Sequence, residues 1–168
     1  MQENNQEIYQ LLHEKKEMSD QEKYRYCVAN DSTIVKQKQK VFEWVAKKGL
    51  TCILNDTKWL ELQHAIKRLP FPPPYIEKLL LDEQEIYKNA ILPDAPWYFG
   101  DWSPFYEEGM TLFFMIEWIK VRPRHARHRG RLVAPEIVDE TEAFEQILQE
   151  CAIPYEKENG TFTIYGYK

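Results

Sequence analysis

The chain has 168 residues, a length suited to one domain with room for an appended helical arm. Its apolar fraction of 43% and charged fraction of 29% exclude general disorder. A formal net charge of -5 excludes a globally basic nucleic-acid footprint. The three cysteines, Cys27, Cys52 and Cys151, are odd in number and widely spaced, outside any metal-ligand pattern, which predicts a reducing compartment. The N-terminus (MQENNQE) lacks an apolar leader core, and the longest strongly apolar run, Leu112 to Ile116, is too short to span a bilayer. The expectation is a soluble cytoplasmic protein with no membrane attachment.

In chain order, residues 1–49 read as polar helices, a helical N-terminal extension to a domain at 50–168. Ile8, Leu11 and Leu12 give a short apolar stripe, and Ser19 with Glu22 forms a capping-box pattern, in which each side chain accepts from a backbone N–H of the other's end. Asp31 or Ser32 is placed to cap a second helix that runs through Val41, Phe42 and Val45 and ends near Gly49. Asn55, Asp56 and Thr57 are cap candidates for a third, whose buried stripe is Trp59, Leu62, Ile66 and Leu69. Pro70 stops it. The stretch Leu69 to Tyr75 (LPFPPPY) must be extended, because each proline fixes its own φ and restricts the residue before it.

A strand is predicted from Tyr75 to Leu81. The strongest predicted strand is Thr111 to Val121, with Phe113, Met115 and Ile119 on one face and Leu112, Phe114, Ile116 and Trp118 on the other. Two apolar faces imply a central strand covered on both sides. Asp139 with Glu142 signals a helix start, and Phe144, Ile147, Leu148 and Cys151 form the stripe of that helix. Asn159-Gly160 between two extended segments marks a hairpin, since a type I′ turn needs positive φ at both central residues. Helices, then strands, a helix and a hairpin, without regular βαβ alternation, predict an α+β fold: a mostly antiparallel sheet packed with helices.

Charge is segregated. Ile119 to Arg131 holds six Lys or Arg and no acid, whereas Leu132 to Lys168 holds two Lys and eight acids. Arg122, Arg124, Arg127, Arg129 and Arg131 form an arginine loop able to grip carboxylates or phosphates through forked hydrogen bonds. The same residues also suit a solvated connection whose charges meet acids elsewhere in the fold. His125 and His128 have a metal-compatible spacing, but flanking arginines disfavour a cation, and neither a metal nor another cofactor is expected.

A second cluster is Trp97-Tyr98-Phe99-Gly100-Asp101-Trp102 with Phe105, Tyr106, Glu107 and Glu108. Rings beside carboxylates suit sugar stacking or a partner's basic side chains, and equally a core with its acids turned outward. The candidate binding residues are therefore Trp97, Tyr98, Asp101, Trp102 and the five arginines. For an enzyme the carboxylates would be Asp101, Glu107 and Glu117. No nucleophile elbow or glycine-rich phosphate loop is present.

Asn55-Asp56-Thr57-Lys58-Trp59, LPFPPPY, Gly100-Asp101-Trp102, Ile116-Glu117-Trp118 with Arg122-Pro123-Arg124, and Tyr165-Gly166-Tyr167 together resemble a family of small bacterial proteins known only as a domain of unknown function. The resemblance spans about residues 50–168 and implies no catalytic residues. In general make-up the chain also resembles immunity proteins, which neutralise a toxin by binding it. Three functions are expected from these features. The first is a binding module for a protein partner. The second is an enzyme acting on a carbohydrate or small polar substrate through carboxylates. The third is a nucleic-acid binder using the arginines, disfavoured by the acidity of the remaining chain.

Overall fold

A computed structural model describes residues 17–82 and 91–168, with Gln10, Leu12 and Glu14 before them. The predicted residues Ile8 and Leu11 lie outside the described set, and Leu12 is buried. The fold is α+β, as the element order implied. Helices α1 (Asp20–Asn30), α2 (Ser32–Lys48) and α3 (Asp56–Ala65) precede the strands β1 (Tyr75–Leu79), β2 (Ile116–Val121), β3 (Arg124–Arg127) and β4 (Glu136–Asp139). Helix α4 (Thr141–Glu150) and the hairpin β5 (Glu156–Glu158) and β6 (Thr161–Tyr165) complete the chain. No helix among the described residues is long and apolar enough to cross a membrane.

Local chemistry sets the helix starts. Ser19 and Glu22 form the reciprocal capping box, with Glu22 accepting from the Ser19 N–H at 2.8 Å. Asp31 caps α2 by accepting from the N–H groups of Thr33 and Ile34, and Asn55 caps α3 by accepting from Lys58. Gly49 ends α2 as expected. At α4 the pattern is one residue off. Glu140 occupies the cap position without a side-chain bond, and Asp139 accepts from the Thr141 N–H at 3.0 Å.

Four strands form an antiparallel sheet in the order β1-β2-β6-β5, and β3 and β4 form a separate two-stranded ribbon. One sheet face carries Ile119 and Val121 of β2 opposite Ile164 and Phe162 of β6, all fully buried. Phe144 of α4 meets Phe162 edge-on, ring centres 5.0 Å apart. Trp59 and Leu62 of α3 join the same apolar cluster. So do Leu12, Tyr24, Cys27, Val28, Ile34 and Val41, so the N-terminal helices share the core of the 50–168 segment instead of standing off it.

The predicted strand from Thr111 is shorter than expected. Phe113–Met115 forms a 3-10 turn, and regular pairing begins at Ile116. The turn breaks the alternation and buries both Phe113 and Phe114, and Phe113 stacks on Tyr24 with ring centres 4.8 Å apart. Strand β2 is internal to the sheet, but its second face is not apolar throughout: Trp118 lies there with Lys120. The Asn159-Gly160 turn has φ of 49° and 74° at its two residues, the type I′ requirement.

Candidate partner-binding surface

The polyproline segment organises the aromatic cluster. The extended prolines lie outside the helix and sheet ladders, so their carbonyls are open to donors from other segments. Gly100 N–H donates to Pro72 at 3.1 Å, Trp102 Nε1 to Pro73 at 2.8 Å and Arg122 N–H to Pro74 at 3.0 Å. At Gly100 a Cβ would lie 2.2 Å from the Pro73 carbonyl oxygen, so only glycine permits this approach. Trp102 is thereby buried, with Tyr75 packed edge-on at 5.0 Å.

The cluster consequently divides. Trp97 and Phe99 are exposed, at 78% and 54%, and Tyr98 partly so. Asp101 is exposed, accepts from the Ser103 N–H at 3.0 Å and takes the Tyr75 hydroxyl on its carbonyl at 2.6 Å. Phe105 and Tyr106 turn toward α1, with Tyr24 edge-on to Phe105 at 5.7 Å and the Tyr106 hydroxyl bonded to Asp20 at 3.0 Å. Burial and the nearby Asp20 and Glu107 carboxylates push the Tyr106 hydroxyl pKa up.

The arginine segment is not a loop throughout. Arg124–Arg127 is β3, paired with β4, and only the connection between them is irregular. The other edge of β3 meets the aromatic cluster: the Ala126 N–H donates to the Pro96 carbonyl at 2.8 Å. His125 sits between Phe99 and Phe71, at 4.5 and 5.6 Å between ring centres. Phe99 and the segment that leads into Trp97 therefore adjoin the arginine ribbon.

The five arginines separate into two groups. Arg122 is buried and holds Asp94 through Nη2 and, at 2.9 Å from Nε, the Asp94 carbonyl; its Nη1 donates to the Asn159 carbonyl. Its guanidinium lies against the hairpin turn, where a Cβ on Gly160 would be 2.8 Å from Nη1. Arg124 pairs with Asp94 and, at 3.0 Å, with Asp139. Burial opposes ionisation of Asp139, but the bonds from Thr141 and the charges of Arg124 and Arg122 outweigh it, and its pKa is lowered. These two arginines are spent on the fold. Arg127, Arg129 and Arg131 are exposed and form no ion pair with any described carboxylate. Beyond them on the connection stand Leu132, fully exposed at 100%, and Val133, with Ile137 exposed on β4.

The three carboxylates considered for catalysis have different surroundings. Asp101 takes the Tyr75 hydroxyl on its carbonyl, and Glu117 is paired with Lys78. Glu107 is exposed on a 3-10 turn near α1. Two residues escaped the sequence reading. Asp94, shared by Arg122 and Arg124, sits in a Pro93-Asp94-Ala95-Pro96 turn whose flanking prolines were the one available signal. Glu77 on β1 is a largely buried carboxyl that accepts from Thr111 Oγ1 at 2.5 Å, and burial raises its pKa despite that bond.

Residues 41–168 match the model of a family described as a family of unknown function, DUF6678. The chain belongs to DUF6678. The match begins within α2, so the DUF6678 region takes in the second half of that helix with the whole sheet and ribbon. No curated protein and no solved structure matches the chain.

Proposed function

We propose that this DUF6678 protein is a cytoplasmic binding module, immunity-like in action, that sequesters an acidic protein partner on the ribbon surface. The observation that carries the reading is the set of three exposed arginines on β3 and its connection to β4, without an ion-pair partner among the described residues, next to the exposed Trp97 and Phe99. Arginine forks match carboxylates in pairs, and exposed rings supply the anchors on which interface affinity concentrates. The fully exposed Leu132 beside them adds apolar contact of a kind that solvent alone does not favour. The free state of all three cysteines suits a reducing compartment.

The test is fluorescence anisotropy with a labelled Glu-Glu-Leu repeat peptide, against labelled single-stranded DNA and phosphatidylserine vesicles. Each exposed charge pair is worth about 0.5–1 kcal/mol, so replacing Arg127, Arg129 and Arg131 together by Gln weakens peptide binding about 10- to 100-fold. Preference for DNA or vesicles over the peptide overturns the protein-partner reading, as does an unchanged affinity in the triple variant.

A further inference from the structure

The sheet face turned away from the main core carries a second set of chemistry-bearing side chains. Strand alternation places Lys78, Trp118, Lys120, Thr163 and Tyr165 there, with Trp118 directly opposite both Lys78 and Tyr165 and Lys120 opposite Thr163. Trp118 is a large, buried ring that stands outside the main apolar cluster. A hollow of about 320 Å³ opens over it, lined by these five residues and Glu117. A second, of about 230 Å³, adjoins it, with Lys120 and Thr163 as the shared wall and Asn159, Thr161, the Glu158 carboxylate and the apolar Ile91 and Leu92 beyond. The first volume falls at the small end of ligand pockets, a size for a monosaccharide.

The lining selects a ligand class. Trp118 and Tyr165 offer ring surface, each with a lysine ammonium over one face, Lys120 on Trp118 and Lys168 on Tyr165 at 4.6 Å, and Thr161, Thr163 and Asn159 offer neutral donors and acceptors of the kind that pair with hydroxyls. Lys78 is neutralised by Glu117. Lys120 has no carboxylate partner among the described residues; its ammonium rests over the Trp118 ring at 5.1 Å. The first hollow thus holds one positive charge without an ion-pair partner among the described residues, beside two rings and the Thr163 hydroxyl, with the Glu158 carboxylate confined to the second. We propose that this face binds a small hydroxylated carboxylate, of hexuronic-acid size, with Lys120 receiving the carboxylate and Trp118 and Tyr165 supporting the ring.

The proposal does not depend on the arginine ribbon, and its test is separate. Isothermal titration and ¹H–¹⁵N spectra of the full chain are recorded with D-glucuronate, with D-glucose and with inorganic phosphate as comparisons. Glucuronate at about 10 mM should shift the Trp118 indole and Thr163 resonances, and Lys120→Met should weaken it at least about 10-fold. Thr163→Val, a near-isosteric change that tests the site without removing charge, should weaken it about 3-fold. Absence of any shift with glucuronate, equal binding of glucose, equal binding of phosphate, or shifts confined to the ribbon and insensitive to Lys120→Met each overturns it.

Discussion

Arg122→Met separates an arginine that holds the fold from one that meets a partner. The methionine keeps most of the side-chain bulk and removes the guanidinium. The Asp94 carboxylate loses little, because it is 74% exposed and retains Arg124. The carbonyls of Asp94 and Asn159 each lose a charged donor, and Thr161 loses a weaker contact at 3.4 Å. Charged hydrogen bonds contribute about 1.5–3 kcal/mol each, so two of them, partly replaced by water, give a loss of about 3 kcal/mol. For a chain of this size that lowers Tm by about 6–12 °C. Arg129→Met, at an exposed position without an ion-pair partner among the described residues, should change stability by no more than about 0.5 kcal/mol. Urea unfolding followed by far-UV circular dichroism measures both. Equal stability of Arg122→Met and the parent, or an equally large loss in Arg129→Met, refutes the division of the arginines.

Three further outcomes are expected. Gly100→Ala forces the Cβ against the Pro73 carbonyl at 2.2 Å and should cost about 1–3 kcal/mol in the same unfolding assay. Glu77→Gln tests the buried carboxyl: its folded pKa is raised, so the ionised form opposes folding, and the native contribution weakens as pH rises through that raised value. The variant, which keeps an acceptor for Thr111, should be more stable than the parent at pH 7, with the gap closing as pH falls toward about 4; a gap that is constant with pH contradicts the assignment. Trp97→Ala should leave stability unchanged within about 0.5 kcal/mol while weakening acidic-peptide binding by about 10-fold or more, measured by anisotropy.

What was legible in the sequence was mostly local. Ser19, Asp31 and Asn55 cap helices because each side chain meets an N–H two or three residues away, and Asn159-Gly160 makes its turn from its own backbone preferences. What was hidden depends on distant partners. The 3-10 turn at Phe113–Met115 breaks an apolar run that reads as strand, and its Phe113 N–H donates to the Tyr24 hydroxyl, 89 residues earlier, at 3.2 Å. Strand β4 reads as four residues with two acids, and only pairing with β3 gives it form. The arginines look alike in sequence; Asp94, 28 residues before Arg122, distinguishes them. Likewise the rings from Trp97 to Tyr106 alternate with turn residues, and it is the prolines' carbonyls that decide which ring turns inward.

The central claim is that Trp97–Phe99 and the β3–β4 ribbon act as one binding surface. Chemical-shift mapping of the ¹⁵N-labelled protein on addition of the Glu-Glu-Leu peptide tests it most directly. Perturbations should fall together at residues 97–99 and 124–137, including the Trp97 indole, with Arg122 and the Asn159-Gly160 turn unmoved. Perturbations spread over other basic positions such as Lys47 and Lys48, with none at Trp97, would contradict it.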